Sequence, residues 1–307
     1  MILTVTPNPA VDRVYVLEKV DYGEVNRVRE ATCSAGGKGI NVARVAKILG
    51  EHTDAAGFAG GRNGQYICEQ ISLLGIGDKF TEIKGETRVC TNITQAETST
   101  EFLEKGPFVT SGECDEFIKN FENNLDRYDV IVVSGSIPPG VPEDLYPQMI
   151  CKANAEGKII IADTSGQSLI SAIKAKPFMV KPNVYELSAL FKKEIKGAED
   201  IKDVLSALKN AGIKLPVVSA GKDGCYSFLE GKVYHFVPPD VNVINPVGSG
   251  DSFVAGLAVG LMRKQSMMDT IKLAMACGTA NTQFSQTGLV SAELVEKFFG
   301  EITVSMI

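Results

Sequence analysis

Uniformly apolar segments recur along the chain, and each ends in a turn of small or polar residues: ILTVT (2–6), DVIVVSGS (129–136), KIIIAD (158–163) and KLPVVSAG (214–221). A strand with one face in water alternates apolar and polar residues. These segments do not alternate, so both of their faces must be covered. Helix-like stretches lie between them. GINVARVAKILG (39–50) has apolar residues at helical spacing and stops at a glycine; after AAGFAG a second helix is expected near 65–74. Strand and helix in alternation predict an α/β fold, a mainly parallel sheet flanked by helices. Such sheets bind ligands outside the carboxyl ends of their strands. Those ends are TPN, SGS, ADTSG, VKPN and SAGKDG.

Two segments break this rhythm. Residues 11–33 (VDRVYVLEKVDYGEVNRVREATC) and 87–105 (TRVCTNITQAETSTEFLEK) alternate apolar with polar residues and are rich in strand formers. They predict short antiparallel strands of a second, half-exposed sheet lying over the pocket as a lid. An exposed hairpin with no gating role is the alternative. No low-complexity linker or fixed-period repeat divides the 307 residues, so a single domain over 1–307, with the lid segments inserted in it, is expected.

Composition narrows the chemistry. Lys and Arg number 31 against 37 Asp and Glu, a net charge of −6, which argues against a nucleic-acid partner held by overall charge. The seven cysteines, at 33, 68, 90, 114, 151, 225 and 277, are odd in number and form no CxxC pair. They predict reduced thiols in a cytoplasmic protein. No apolar run is long enough to span a membrane, and MILTVTPNPAVDR lacks the basic and apolar regions of a leader. His52 and His235 are the only histidines, which disfavours histidine metal clusters and Ser-His-Asp triads. Carboxylates, lysines, arginines and backbone amides are left to do the work.

Three motifs offer such groups. In NPVGSGDSFVAGLAVGL (245–261), Gly248 and Gly250 bracket Ser249, and Asp251 opens an apolar helix. A helix start has unpaired N–H groups and about half a positive charge, which suits an anion. Asp251 is then either a favourable first-turn acid or a base beside a bound phosphate. SAGGKGIN (34–41) is a second glycine-rich turn into a helix, with Lys38 and Asn41 at its start. It is neither a Walker A loop nor a dinucleotide fingerprint, and a tight turn with a solvated lysine is its bland reading. In VKPNVYEL (180–187), Asn183 and Glu186 have capping-box spacing, and Glu186 also suits a hydrated Mg²⁺.

Taken together, AGGKGINVARVAKILG and NPVGSGDSFVAG resemble the two signature segments of the PfkB, or ribokinase-like, carbohydrate kinases. TPNPAVD, GETR, TEFLEKGP, SGSIPPG, DTSG, VKPNVYEL and SAGKDG fall in the matching order, so the resemblance spans essentially the whole chain. VNR at 25–27, ETR and TEFLEKGP look most like the phosphosugar branch, which contains tagatose-6-phosphate kinase and 1-phosphofructokinase. Where the family usually has alanine this chain has Ser249, a small departure if the backbone amide holds the anion.

The resemblance implies a ribokinase-like fold with a small β lid, and an ATP-dependent, Mg²⁺-requiring kinase that turns a ketohexose monophosphate into the bisphosphate. Asp251 would be the general base, and the amides of Gly248, Ser249, Gly250 and Asp251 an anion hole. Asp12, Gly36, Gly37, Lys38 and Asn41 would line the sugar site, with Arg88 and Arg27 on the phosphate the sugar already carries. Lys181, Asn183, Ser219, Gly221 and Gly224 would surround the nucleotide, Asn281 would lie near the adenine, and Glu186 would meet Mg²⁺ through water. The implied partners are ATP and the phosphosugar, with a homodimer plausible through the lid strands and no nucleic acid or membrane. The rivals are a kinase of an unphosphorylated sugar or nucleoside, a non-catalytic sugar-phosphate sensor and, disfavoured by the missing fingerprint, a dinucleotide oxidoreductase.

Overall fold

The computed structural model describes residues 1–95, 98–191, 193–195 and 197–307; Ala96 and Glu97, inside the second lid segment, lie outside the described residues. The chain begins with β1 (Ile2–Thr6), β2 (Ala10–Leu17), β3 (Glu30–Gly36), α1 (Lys38–Ile48), β4 (Thr53–Gly60), α2 (Gly61–Leu73) and β5 (Gly77–Ile83). It continues through β6 (Arg88–Gln95), β7 (Thr98–Leu103), α3 (Ser111–Asn124), β8 (Val130–Ser134), α4 (Leu145–Ala155), β9 (Ile159–Asp163) and α5 (Gly166–Lys174). Then come β10 (Met179–Val180), α6 (Val184–Phe191), α7 (Ala198–Asn210), β11 (Leu215–Ser219), β12 (Cys225–Leu229) and β13 (Lys232–Val237). The last elements are α8 (Ser249–Met262), α9 (Met267–Asn281), α10 (Ala292–Glu301) and β14 (Thr303–Met306).

The main sheet runs β14-β13-β12-β11-β10-β9-β8-β1-β4-β5. From β5 to β11 all pairings are parallel; β12, β13 and β14 add antiparallel strands at one edge. Burial explains the apolar segments: Ile2, Val5, Val130, Val132, Ile160, Ile161 and Val217 are all inaccessible, with helices over both faces of the sheet. Helix α8 is buried all round from Asp251 to Leu261 because α1, α9 and the sheet enclose it. Each fully buried Val, Leu or Phe there contributes roughly 1.5–3 kcal/mol.

The small sheet has the order β3-β2-β6-β7. One expectation needs correction. β2 and β6 pair in parallel, Ala10 opposite Arg88 and Asp12 opposite Cys90, while only the outer pairings are antiparallel. The two segments enter from separate crossovers of the main sheet; each folds into an antiparallel pair of consecutive strands, and the pairs join where β2 and β6 run side by side in the same direction. Residues 18–29, expected within a strand-forming segment, form an exposed connection. Val11 and Ala35 pack with Ile40, Ala43, Ile67 and Ile71, which seats the inner end of the small sheet on α1 and α2.

Candidate active site

The chain builds β4 and β5 on one side of β1 and β8 to β11 on the other, so strand order reverses between β1 and β8. A crevice opens outside the carboxyl ends at such a reversal. Helices α1 and α8 both begin there, capped by Gly37 and Gly248 with no side-chain cap. Gly248 sits in the left-handed region at φ 82°, and a Cβ on it would stand 2.6 Å from Thr287 Cγ2, so glycine is required twice over. The Ser249 amide turns back to the Pro246 carbonyl at 3.3 Å, as does the Ser249 hydroxyl at 2.8 Å. The amides of Gly248, Gly250 and Asp251 meet no acceptor among the described residues. They form the positive end of a buried helix.

Asp163, at the carboxyl end of β9, organises the cations. Its Oδ2 lies 3.3 Å from Lys38 Nζ and its Oδ1 3.4 Å from Lys181 Nζ. Burial alone would raise this carboxyl; the ammonium groups of Lys181 and Lys38 outweigh burial and hold it below its ordinary range. The same carboxylate pushes Lys38 up, so it stays an ammonium. Lys181 also faces α8, since a Cβ on Gly250 would stand 3.7 Å from its Nζ.

Asp251 is 8 % exposed, and Asn41 Nδ2 donates to its Oδ2 at 2.8 Å. Burial raises its carboxyl to about 6, with Lys38 opposing the rise and Asp163 adding to it. Asp12, from the small sheet, is likewise pushed to about 6 by burial, against the pull of Arg88 and Arg44. Gly36 gives Asp12 its space: a Cβ there would fall 1.9 Å from Asp12 Oδ2. A carboxyl near 6 is mostly ionised at neutral pH yet basic enough to accept a proton, which is what a general base needs.

The profile of the pfkB family carbohydrate kinases matches residues 6–293. The chain belongs to the pfkB family of carbohydrate kinases. Among the relatives of this pfkB chain is a tagatose-6-phosphate kinase of Staphylococcus epidermidis, 40% identical over 309 residues and covering 99% of each chain. The structure of phosphofructokinase-2 from Escherichia coli in complex with fructose-6-phosphate superposes with TM-score 0.89 at 27% identity, over 98% of each chain. Ribokinase of Arabidopsis thaliana shares the fold alone, with TM-score 0.80 at 19% identity over 97% of this chain and 98% of the other. The fold is ribokinase-like, and ATP is the co-substrate of the family.

Within this pfkB fold the remaining expected site residues have the following surroundings. Arg88 does not present a free fork. Its Nη1 donates to the Glu104 carbonyl at 2.8 Å and its Nη2 to the Asn8 carbonyl at 2.9 Å, so it already ties the small sheet to the β1–β2 connection. Arg27 lies on the exposed 18–29 connection and makes no hydrogen bond or ion pair with the described residues. Asn281, expected near the adenine, is held by the turn before α8. It is inaccessible, its Nδ2 donates to the Val247 carbonyl at 2.8 Å, and its Oδ1 accepts from Ser252 and Gly288. It braces the Gly248 turn from behind. Gly224 is also turned into the fold, because a Cβ would meet the Phe236 carbonyl at 1.9 Å, whereas Gly221 is exposed. Asn183 and Ser219 lie side by side at the ends of neighbouring strands.

Glu186 forms a capping box: its Oε2 accepts the Asn183 amide at 2.9 Å, and its own amide donates to Asn183 Oδ1 at 2.8 Å. One carboxylate oxygen is left over. Among the described residues no group of three His, Cys, Asp or Glu side chains is placed to hold a metal. A single carboxylate oxygen fits a hydrated Mg²⁺, which takes few protein ligands and keeps its waters. The cysteines are all unpaired, and no described helix is long and apolar enough to cross a membrane.

Three polar residues here have no role in the motifs of the sequence. Asp163 stood in DTSG without a role, although a carboxylate ending an apolar strand is itself a signal. Asn8, 4 % exposed, holds the Lys105 carbonyl and Ser136 hydroxyl through Nδ2. Arg44, read as part of an amphipathic helix, is buried.

Proposed function

We propose that this chain is an ATP-dependent kinase of a phosphorylated ketohexose, with tagatose 6-phosphate as its substrate and tagatose 1,6-bisphosphate as its product. The observation that carries the reading is a buried carboxylate, Asp251, set on the open amides of a helix start with Lys38 and Lys181 beside it. In this mechanism the Asp251 carboxylate takes the proton of the sugar hydroxyl. The hydroxyl oxygen attacks the γ-phosphorus of ATP, the bond from that phosphorus to the β–γ bridging oxygen breaks, and ADP leaves with the electron pair. Amides of Gly248, Gly250 and Asp251, with the Lys181 ammonium, face the charge that spreads over the transferred group. Phosphoryl transfer needs this alignment and electrostatic stabilisation more than covalent help. Mg²⁺, held by ATP and through water by Glu186, would neutralise phosphate charge.

The tagatose assignment draws on the tagatose-6-phosphate kinase relative at 40% identity. The fructose-6-phosphate complex of phosphofructokinase-2 adds a second ketohexose phosphorylated at the same end. Asp12 would orient sugar hydroxyls, and the small sheet would close over them. Exposed Tyr22, Val25, Phe102 and Leu103 on that sheet and its connection suit a homodimer, which sedimentation would reveal. A coupled assay of ADP release tests the proposal with tagatose 6-phosphate, fructose 1-phosphate and free tagatose. The expected order of kcat/KM places tagatose 6-phosphate first. Fructose 1-phosphate in first place would transfer the assignment to a 1-phosphofructokinase. Equal kcat/KM for free and phosphorylated sugar would leave only a general sugar kinase, and binding without ADP release would leave a sensor.

A further inference from the structure

Arg44 has no part in the reaction as described, yet it is the buried arginine among the described residues, 5 % exposed. A guanidinium inside a protein normally meets a carboxylate, because burying an unpaired charge is costly. Arg44 forms no ion pair with a described residue. Its Nη1 donates to Asn41 Oδ1 at 2.9 Å and to the Thr287 carbonyl at 3.0 Å, and its Nη2 donates to the Ala35 carbonyl at 2.7 Å.

Each acceptor leads to the site. Residues 41 and 44 lie one turn apart on the same face of α1. A carboxamide can turn either its oxygen or its NH₂ toward a neighbour, and a guanidinium can only donate. With Oδ1 held by Arg44, Asn41 must offer Nδ2 to Asp251, where it donates at 2.8 Å. The reversed amide would aim an oxygen lone pair at the carboxylate. Ala35 precedes Gly36, the residue that makes room for Asp12. Thr287 precedes Gly288, whose amide donates to Asn281 Oδ1, and Asn281 in turn holds the Val247 carbonyl beside the Gly248 turn.

We propose that Arg44 is a positioning residue for the base: by gripping Asn41 Oδ1 it turns Nδ2 toward Asp251, and it sets a buried positive charge behind that carboxylate. This rests on the reading of Asp251 as the general base. Asp251 is also faced by Lys38 and Asn41 from α1, Asp163 from β9 and Lys181 beyond β10. Asp12 is faced by Arg88 from β6, Arg44 from α1, Asp251 from α8 and Glu101 from β7. Losing Arg44 removes a donor relay from the first carboxylate and a cation from the second, so both carboxylates hold their protons to higher pH.

The test compares wild type, Arg44→Met, Arg44→Lys and Asn41→Leu as full-length protein. The pH profile of kcat/KM for tagatose 6-phosphate is recorded alongside the melting temperature. In Arg44→Met the acidic limb is expected to move up by about half a pH unit or more, a proton affinity about three times higher, with a fall in kcat at the optimum. Arg44→Lys keeps the charge without the fork, so it shifts the limb less. A melting temperature that falls while the limb stays within about 0.2 of wild type would reduce Arg44 to a structural brace and overturn the proposal. Should Arg44→Met fail to fold, Asn41→Leu breaks the same relay with Arg44 in place; an unmoved limb there overturns the proposal equally. Should wild type turn over none of the three sugars, the parent reading fails on its own. An infrared titration of the carboxyl bands, with Asp251→Asn to assign the Asp251 band, then decides for Arg44: a raised midpoint in Arg44→Met supports it and an unchanged one rejects it.

Discussion

Asn41 Nδ2 donates to Asp251 Oδ2 at 2.8 Å and so joins the first turn of α1 to the first turn of α8 across 210 residues of sequence. Two glycine-capped helix starts therefore converge on one carboxylate. Each start has a positive end, and Lys38 and Lys181 add two cations that share the Asp163 carboxylate. The site is a basin of cations and open amides with a base in its floor. Such a basin suits a ligand bearing several negative charges beside the atom that loses its proton, as ATP does.

Asp251→Asn is expected to lower kcat by roughly 10²–10⁴, since the base is lost while the shape is kept. Steady-state kinetics with ATP and tagatose 6-phosphate measures the loss. In wild type, activity should fall as pH drops through about 6, where the Asp251 and Asp12 carboxyls take up protons. A variant within a few-fold of wild type would leave Asp251 as a helix-start residue only.

The same substitution should stabilise the protein at neutral pH. The folded carboxyl of Asp251 sits at about 6, above the ordinary 3.8, so the folded state binds this proton more tightly than the unfolded state does. Stability is therefore lost as pH rises from about 4 to 6 and stays lost above that. Asparagine has no such cost, so a gain on the order of 2–3 kcal/mol is expected at pH 7–8, vanishing below about pH 4. Thermal melts of both proteins across that range measure it. An unchanged difference from pH 4 to 8 would mean that burial does not shift this group.

Residues whose role is set by neighbours in sequence were legible, and those whose role is set by topology were not. GSGD announced a glycine-capped helix start because the turn, the open amides and the acid are adjacent in the chain. The parallel sheet was legible because Ile, Leu and Val fill both faces of its strands. Asp163 could not be read as the partner of Lys38 and Lys181, because β9 joins the site only once strand order reverses beside β8. Arg88 looked like a free fork because sequence says nothing of the Glu104 and Asn8 carbonyls that hold it. The bracing role of Asn281 was hidden for the same reason: its buried partners come from residues 247, 252 and 288.

Glu186 serves the capping box and, in the proposed mechanism, Mg²⁺, and two substitutions separate these roles. Glutamine keeps an oxygen for the Asn183 amide, which Glu186 now accepts at 2.9 Å, but lacks the charge. Glu186→Gln should raise the Mg²⁺ concentration needed for half-maximal activity with little change in melting temperature. Glu186→Ala removes the cap as well and should cost about 0.5–2 kcal/mol of stability. Mg²⁺ titrations and melts on both variants measure this. A normal Mg²⁺ requirement in both would confine Glu186 to capping.

Arg88 is expected to show a mixed phenotype. Its Nη1 and Nη2 each hold a backbone carbonyl, of Glu104 and Asn8, and each has one further N–H to offer. Those remaining donors, with the guanidinium charge, are what a sugar phosphate of about −1.5 to −2 charges would meet. Removing the side chain should therefore loosen the small sheet and weaken phosphosugar binding together. Charged hydrogen bonds contribute roughly 1.5–3 kcal/mol each, so Arg88→Ala should raise KM for the phosphosugar about 10- to 150-fold. The KM for ATP should change far less, because the residues proposed to meet the nucleotide, Lys181, Asn183 and Ser219, lie beyond β10 and at the end of β11, away from the small sheet. The melting temperature should fall as well. Arg88→Lys keeps a charge but cannot span both carbonyls, so it should lose stability and affinity to a lesser degree. Kinetics in both substrates, with melts alongside, distinguish the outcomes. If KM for ATP and for the phosphosugar rise equally, Arg88 acts only as a pin between the small sheet and the β1–β2 connection, and the substrate phosphate must be held elsewhere.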